Sequence, residues 1–279
     1  MLVSSFDMMR DAHEKGYAIP SPDFVDSNSA RAFVQVAEEL HQPLILSFAE
    51  VHLKHLSLEE AAALGTYYAQ SVQTPVALHL DHGTGFEIVE RAIRLGFTSV
   101  MIDASAYDLQ ENIARTKQVV ALAHERNVYV EAEIGRVGAE DAEGPHALAD
   151  ISYTDVEQAK QLVEATQVDS LAVSVGTVHG TYQGTPHINF ERLAELNQAL
   201  RMPLVLHGGS GTGTDNLRRC AQGGIAKVNL YTDFITAALR QVREQNPDHW
   251  LKLLETGDEA MKQVLRHYYR VLGCCEACA

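Results

Sequence analysis

Short apolar segments alternate with longer amphipathic segments along almost the whole chain, and this alternation constrains the fold more than any other feature. Eight apolar segments have the length of buried strands, and apolar residues at helical spacing follow each of them. Strands that alternate with helices indicate a parallel α/β architecture. The predicted strands are 17–19, 44–47, 76–80, 99–103, 128–133, 170–173, 204–207 and 226–230. The predicted helices are 30–40, 58–72, 86–95, 109–126, 155–165, 190–200 and 215–222, with two more that begin near 233 and 257.

Eight strand–helix units in 279 residues favour one catalytic domain over residues 1–279, a (β/α)8 TIM barrel with extra C-terminal helices. Ser57, with Glu60 three residues on, has the pattern of a capping box, and Gly96 is a usual helix stop. A doubly wound open sheet is an alternative that the alternation alone does not exclude. Dinucleotide binding has little support, because no G-x-G-x-x-G follows a strand and opens a helix.

The formal net charge of −15 narrows the choice of partners. Nucleic acids and anionic membranes need a basic surface, so we expect neither as the main partner. An anionic small substrate needs only a local group of donors and stays compatible with this charge. No apolar run is long enough to span a bilayer, and the first residues lack the pattern of a signal peptide. We therefore expect a cytoplasmic protein.

Three of the four cysteines, Cys274, Cys275 and Cys278, lie in the last six residues, and the fourth is Cys220. Disulfides are not expected in a cytoplasmic chain. The C-terminal group lacks a second ligand pair at the spacing of a zinc site, so we interpret it as a functionally silent tail.

Chemically reactive residues follow the predicted strands at one end only. The C-terminal ends of the strands carry the active site in parallel barrels, so this clustering favours an active site over a polar cluster that merely caps strands. A polar stretch from 135 to about 152 exceeds ordinary connections, and loops of this length are usually functional or mobile. The clustered residues are Asp81, His82, Asp103, Glu133, His179, His207, Asn229 and Thr232.

Three histidines at this end, His82, His179 and His207, each precede a glycine. Three histidine ligands with an open position are the pattern of a catalytic zinc site. A buried ring bonded to backbone is the simpler interpretation of one histidine, but the three together favour a metal. We place His79 in the barrel interior as a packing residue. Five others are interpreted as ordinary surface residues, namely His13, His41, His52, His55 and His124.

The segment 78–83 carries both an acid and a predicted ligand. Alternate residues of a strand point to opposite faces, so Asp81 and His82 are not expected to do the same job. We assign His82 to the metal and Asp81 to proton transfer. Glu140, in the long polar stretch, is a second carboxylate for proton transfer.

Glycine-rich segments at 180 and 208–211 suggest an anion site. Successive backbone N–H groups beside a helix N-terminus cradle phosphate, and Ser210 and Thr232 add hydroxyl donors. Such segments also occur as tight connections without a ligand. A metal beside a phosphate site suits reversible carbon–carbon cleavage of a phosphorylated ketone, and metal-assisted hydrolysis stays open as well.

The chain resembles the zinc-dependent class II aldolases, close to the branch of fructose- and tagatose-bisphosphate aldolases. The resemblance covers nearly the whole chain in order. It is carried by the segments 78–83, 99–105, 130–135, 176–182, 204–211 and 227–232.

This resemblance implies a zinc aldolase that cleaves a phosphorylated ketose, a ketose 1-phosphate or bisphosphate, into dihydroxyacetone phosphate and an aldehyde. Asp81 matches the residue that exchanges a proton with the C4 oxygen, and Glu140 the loop carboxylate that moves the proton at C3. A monovalent cation (Na⁺ or K⁺) and a homodimer or homotetramer are also implied. The other matches are the Zn²⁺ ligands His82, His179 and His207, the alternative metal position at Asp103 and Glu133, and the phosphate-binding residues Gly180, Gly208, Ser210, Asn229 and Thr232.

The chain departs from the family pattern at several positions. Gln183 stands where the bisphosphate enzymes usually carry a phosphate-pairing lysine, and Tyr231 replaces the Asp or Ala of relatives. Segments 19–24 and 47–52 are also atypical. Loss of the lysine removes a charge-assisted contact. Our hypothesis is that the zinc chemistry is retained, that the sugar preference is altered, and that a second phosphate is not required.

Two other functions stay open at this point. A non-catalytic subunit of a partner aldolase would be expected to lack the ligands, which this chain keeps. A metal-dependent hydrolase on the same fold would release hydrolysis products without an aldehyde.

Overall fold

The computed structural model describes residues 1–135, 153–178, 180 and 186–274. Within these residues, eight strands and ten α-helices follow one another, with a short 3-10 helix at Glu50–Lys54. The strands are β1 (Ile19–Pro22), β2 (Leu44–Ala49), β3 (Val76–Gly83), β4 (Ser99–Ile102), β5 (Tyr129–Ile134), β6 (Ser170–Val173), β7 (Leu204–Leu206) and β8 (Ile225–Leu230). The helices are α1 (Phe6–Lys15), α2 (Ser27–Leu40), α3 (Leu58–Gln70), α4 (Phe86–Leu95), α5 (Leu109–His124), α6 (Val156–Thr166), α7 (Phe190–Leu200), α8 (Thr214–Gln222), α9 (Thr232–Gln245) and α10 (Trp250–Val271).

The eight strands form one parallel sheet in the order β1-β8-β7-β6-β5-β4-β3-β2. The strands at the two ends of this order meet through a parallel bridge between Asp23 and Ser47. The Phe24 N–H donates to the Ser47 carbonyl over 2.9 Å at the same point. The sheet is therefore a nearly closed barrel, which confirms the TIM-barrel prediction in place of the open sheet.

The first strand lies further along the chain than its apolar residues indicate. We predict it at 17–19, whereas β1 covers Ile19–Pro22 and includes two prolines. A proline lacks the N–H that a sheet interior needs, but β1 forms a ladder with β8 alone, and such a seam tolerates prolines. The apolar pattern is therefore least informative at the barrel seam.

The helix signals agree with the structure at several ends. The Ser57 hydroxyl oxygen accepts the Glu60 N–H, and the Glu60 carboxylate accepts the Ser57 N–H, as a capping box requires. Gly96 ends α4 with a φ of 98°. The predicted C-terminal helices are α9 and α10, but α10 begins at Trp250 because Gly257 weakens the pattern without ending the helix. No helix in the described ranges has the length and apolar character needed to cross a membrane.

The N-terminal end of the barrel is closed by α1, a helix that the sequence patterns do not predict. Its residues Met8, Met9 and Ala12 are buried against an apolar layer of strand side chains. A second apolar core lies between the strands and the outer helices, where the rings of Phe33 and Phe234 lie 4.7 Å apart. The barrel is thus packed below and around the polar end that carries the site. The apolar layer over α1 comprises Ile19, Ile45, Ala77, Tyr129, Ala172, Val205 and Ala226.

Candidate active site

The C-terminal strand ends surround a small cleft, which we call the mouth. Its lining joins residues that follow β1, β2, β3, β7 and β8, so segments far apart in sequence meet there. Most of the residues predicted for catalysis or phosphate binding are among them. The mouth is lined by Asp23, Ala49, Asp81, His82, Gly180, Gly208, Gly209, Ser210, Asn229, Leu230, Tyr231 and Thr232.

Asp81 and His82 lie on the same side of the barrel, and the expectation that they point to opposite faces is wrong. The ladder between β3 and β4 shifts between Leu80 and Gly83, and His82 has a φ of 49°. A bulge with one residue in the left-handed region breaks the alternation of a strand. The His82 Nε2 atom consequently lies 3.8 Å from Asp81 Oδ2.

Two of the three predicted metal ligands meet at the edge of the mouth, which His82 lines and behind which His207 is buried. His82 Nε2 and His207 Nδ1 lie 2.9 Å apart. Each ring also has a carboxylate at its other nitrogen: Asp103 Oδ2 lies 2.9 Å from His82 Nδ1, and Glu131 Oε1 lies 2.9 Å from His207 Nε2. Carboxylates in this position orient metal-binding histidines and fix their tautomer. The third predicted ligand, His179, lies outside the described residues.

A buried ionic network supports His207 from below, and sequence reasoning does not predict it. Lys227 Nζ donates to Glu131 Oε2 over 2.7 Å and to His79 Nε2 over 3.0 Å. Both partners of the ion pair are about 1% exposed. Burial alone would raise the pKa of Glu131, but Lys227 and His207 outweigh it and hold the pKa at about 2. Glu131 is therefore an anion within the barrel.

His79 belongs to this network and lies in the barrel interior, as expected. Its Nδ1 atom lies 2.7 Å from the Ser99 hydroxyl. Burial, reinforced by the Lys227 charge, lowers the pKa of His79, so its ring is neutral. His79 does more than pack in the interior, because its ring accepts a hydrogen bond from Lys227, the lysine that forms the ion pair with Glu131. The signal in the sequence for this network is a charged residue inside each of two strands, Glu131 in β5 and Lys227 in β8.

Asp103 and Glu133 share a second acidic cluster with His82. The candidate ligand atoms of these three side chains lie within 4.8 Å of one another. Burial and the neighbouring Asp103 raise the pKa of Glu133 well above its ordinary value. Glu133 Oε2 is buried and has no hydrogen-bond partner among the described residues. A cation placed here would satisfy that oxygen.

The donor set fits a divalent transition metal. The candidate ligand atoms of Asp81, His82 and His207 also lie within 4.8 Å of one another, so the two clusters share His82. Imidazole and carboxylate donors suit zinc. The orphaned Glu133 oxygen and the carboxylates behind both histidines are the observations that support this fit.

Asp81 is held in one orientation at the base of the mouth. The Asn229 amide donates to Asp81 Oδ1 over 2.7 Å, and Asp81 is 2% exposed. Burial alone would raise the pKa of Asp81, but the nearby His82, His79 and Lys227 together hold it well below its ordinary value. The carboxylate form of Asp81 is therefore the stable one, as a proton acceptor requires.

The glycine segment after β7 forms a compact turn beside the start of α9. Gly208 has a φ of 65°, and a Cβ at this position would lie 2.3 Å from the Val178 carbonyl oxygen. The Ser210 hydroxyl oxygen accepts the N–H groups of Tyr231 and Asp233, both at 3.2 Å. Because the Ser210 oxygen accepts these two N–H groups, its O–H hydrogen is left to donate to a different acceptor. Thr232 begins α9, so the mouth has a helix N-terminus on this side.

His52 is not a surface residue, and that expectation is wrong. It is 6% exposed within the 3-10 helix Glu50–Lys54, and its ring centroid lies 4.7 Å from that of Tyr231. Burial lowers the pKa of His52 to about 4, so its imidazole is neutral at neutral pH. Its sequence context gave no sign of burial, because Tyr231 comes from the other end of the chain. His41 and His55 are exposed, as expected.

Several predicted features lie outside the described residues: Glu140, His179, Gln183, Cys275 and Cys278. The Cys274 thiol donates to the Ala18 carbonyl, and Cys220 is buried. The silent role of the cysteine tail stays a prediction.

The fold and the site together define a TIM-barrel enzyme with donor groups for a divalent cation at the C-terminal strand ends. The chain belongs to the class II fructose-bisphosphate aldolase family, whose model, Fructose-bisphosphate aldolase class-II, matches residues 3–277. This confirms the resemblance seen in the sequence and establishes a class II aldolase. The family is metal-dependent.

Solved structures agree with this membership. The YdjI aldolase from Escherichia coli K12 is 33% identical, with a TM-score of 0.90 and coverage of 100% of both chains. A fructose-1,6-biphosphate aldolase candidate from Coccidioides immitis is 27% identical, with a TM-score of 0.87 over 98% of this chain and 96% of its own. Fructose-bisphosphate aldolase from Campylobacter jejuni shares the fold at 22% identity, with a TM-score of 0.82 and the same coverage.

Proposed function

We propose that this protein is a zinc-dependent aldolase that cleaves a phosphorylated ketose into dihydroxyacetone phosphate and an aldehyde. The observation that carries the proposal is the placement of Asp81, His82 and His207 within 4.8 Å of one another, directly beside the glycine segment after β7. Imidazoles for a metal, a carboxylate for a proton and backbone donors for a phosphate are the three requirements of this reaction.

His82, His179 and His207 would hold the metal, with Asp103 and Glu133 as an alternative position. A divalent cation there polarises the ketone carbonyl and stabilises the negative charge that develops when the carbon–carbon bond breaks. Glu131 and Asp103 keep the two described imidazoles oriented, since each lies 2.9 Å from a ring nitrogen. The monovalent cation stays a prediction from the resemblance.

Asp81 would take the proton from the C4 hydroxyl in the cleavage direction and return it in the condensation direction. Its hydrogen bond from Asn229 fixes the carboxylate, and burial excludes competing water. Glu140 would move the proton at C3, a role that rests on the resemblance alone.

The phosphate of the dihydroxyacetone half would bind to the glycine segment and to the start of α9. Gly208, Ser210 and Thr232 line the mouth together with Gly180 and Asn229. Backbone N–H groups and a helix N-terminus stabilise an anion without a basic side chain. The Ser210 hydroxyl adds one donor.

A second phosphate has little support. None of the described residues that line the mouth is Lys or Arg. The segments outside the described ranges contain one such residue, Arg136, and carry Gln183 at the lysine position of the bisphosphate enzymes. We therefore propose that ketose 1-phosphates are preferred over bisphosphates. A homodimer or homotetramer and a cytoplasmic location also stay predictions.

Turnover by the zinc-loaded protein tests this function. A panel of ketose 1-phosphates should release dihydroxyacetone phosphate and an aldehyde faster than fructose or tagatose bisphosphate does. A chelator should abolish the reaction, zinc should restore it, and borohydride should have no effect, because no Schiff base forms. Release of inorganic phosphate without aldehyde would instead support a hydrolase. No turnover by the zinc-loaded chain would support a non-catalytic subunit.

A further inference from the structure

The part of the mouth over β1 and β2 has no role in the proposed handling of the donor. The proposed phosphate-binding residues lie at the ends of β6, β7 and β8, and the candidate metal ligands belong to the segments from β3 to β7. In the barrel order, β1 lies between β8 and β2. By elimination, the side of the mouth over β1 and β2 is left for the aldehyde half of the substrate beyond Asp81.

This side of the mouth is walled by an aromatic pair. Tyr231 follows β8, His52 follows β2, and their rings meet with centroids 4.7 Å apart and planes tilted by 43°. The ring centroid of His52 in turn lies 6.4 Å from that of Phe48, a fully buried residue of β2. Tyr231 lines the mouth, whereas His52 is almost wholly covered. The ring of Tyr231 thus has a fixed support behind it.

The aromatic pair of this wall carries no charge. The buried imidazole is neutral at neutral pH because burial lowers the pKa of His52 to about 4. The other residues on this side, Asp23 and Ala49, provide no cation. Aromatic rings offer an apolar face and tolerate the C–H face of a polyhydroxylated chain. Among the described residues that line the mouth, a phosphate placed here would meet no Lys or Arg side chain and would lose part of its hydration.

We propose that Tyr231, positioned by His52, is a specificity-determining residue that selects neutral hydroxyaldehydes over phosphorylated ones. The proposal rests on the proposed aldolase function and adds the residues that set its acceptor class. Tyr231 contacts the acceptor chain, and His52 is a positioning residue that acts through the tyrosine ring.

Condensation kinetics with the zinc-loaded full-length protein test the proposal. The value of kcat/KM is measured for D-glyceraldehyde and for D-glyceraldehyde 3-phosphate, with dihydroxyacetone phosphate as donor. The wild type should prefer glyceraldehyde. Tyr231→Ala should lower the ratio of the two constants by about tenfold, the size of one lost aromatic contact, and Tyr231→Phe should keep it within about threefold. His52→Ala should lower the ratio in the same direction.

A matched control separates the wall from general effects of removing a tyrosine. Tyr67 is 67% exposed on α3, outside the mouth, and Tyr67→Ala should leave the ratio at the wild-type value. Melting temperatures establish that the variants are folded. If His52→Ala does not fold, the variants Tyr231→Ala and Tyr231→Phe alone test the proposal.

A separate assay of the donor step distinguishes failure of the acceptor wall from failure of the aldolase function. The donor step is followed alone, as deuterium uptake from D₂O into dihydroxyacetone phosphate by the wild type. Exchange without any change of the ratio in Tyr231→Ala overturns the acceptor wall only. A wild-type preference for the phosphorylated aldehyde overturns the wall together with the proposed preference for ketose 1-phosphates. Absence of exchange overturns the aldolase function on which it rests.

Discussion

At the residue scale, the conformation of His82 decides how the site is built. Its left-handed backbone turns the imidazole to the side of Asp81, so one strand end supplies both a candidate metal ligand and the carboxylate proposed for proton transfer. Non-glycine residues with this conformation are uncommon, and they are retained where the surrounding structure over-determines them. The division of labour between the two residues stays a prediction, and the feature that separates their positions is a bulge and not the alternation of a strand.

Replacement of Asp81 tests the proton-transfer role. Asp81→Asn keeps the size of the side chain and removes its capacity to accept a proton, so we expect kcat to fall by roughly 10²–10⁴-fold. Zinc content should be close to that of the wild type. Asp215→Asn, at an exposed position on α8, is the matched control and should leave kcat unchanged. An Asp81→Asn enzyme with wild-type kcat would remove Asp81 from the mechanism.

Replacement of Lys227 tests the network beneath His207. Lys227→Met leaves the Glu131 anion buried without its partner, so we expect the free energy of unfolding to fall by ~3–5 kcal/mol. Because Glu131 orients His207, zinc affinity should also fall by about 10–100-fold. Urea unfolding and competition with a zinc chelator measure the two quantities.

Two further variants control this experiment. Lys160→Met removes a lysine from an exposed pair on α6 and should change the free energy of unfolding by less than ~1 kcal/mol. The double variant Lys227→Met with Glu131→Gln removes the buried charge as well and should recover part of the lost stability. Wild-type stability and zinc affinity in Lys227→Met would contradict the proposed support of His207.

At the element scale, the last residues of β3 carry the proposed acid–base group and a candidate metal ligand, whereas the turn after β7 carries proposed phosphate-binding groups. The turn from β7 to α8 passes so close to the Val178 carbonyl that a side chain has no room at Gly208. The same turn places Ser210 under the first residues of α9, where its oxygen accepts two N–H groups. A phosphate site built in this way depends on backbone conformation more than on charge.

Substitution of Gly208 tests the phosphate-binding turn. In Gly208→Ala the new Cβ meets backbone in a left-handed conformation, so we expect a loss of ~1–3 kcal/mol in stability and a higher KM for the phosphorylated ketose. Gly257→Ala is the matched control. It lies in α10 with no atom closer than 3.8 Å to the new Cβ, and it should stabilise the protein by ~0.5–1 kcal/mol. An unchanged KM in folded Gly208→Ala would argue against a phosphate at this turn.

The sequence predicts these elements well where local signals are complete. Helix α3 is anticipated because Ser57 and Glu60 are neighbours in the chain, and the strand Ser170–Val173 agrees residue for residue. Helix α1 escapes prediction because its buried face packs on residues from distant strands. The wall of His52 and Tyr231 escapes for the same reason, since 178 residues separate its two rings in the chain.

At the scale of the whole molecule, the barrel brings together groups that no local pattern relates. His82 and His207 approach each other to 2.9 Å from β3 and β7, and Lys227 of β8 balances Glu131 of β5 inside the same barrel. The gathering of strand ends at one face follows from the fold class, and it is therefore predictable. Which buried residues pair inside the barrel depends on strand register, and the amphipathic pattern does not contain that information.

Zinc content, determined together with release of dihydroxyacetone phosphate in the wild type and in His82→Ala, tests directly whether the strand-end cluster binds a catalytic metal. The wild type should bind about one zinc per chain and release the product, and His82→Ala should lose most of both. His55→Ala, at an exposed position, should match the wild type in both measurements. Full zinc content and full activity in His82→Ala would contradict the central claim that the strand-end cluster of Asp81, His82 and His207 is a catalytic metal centre.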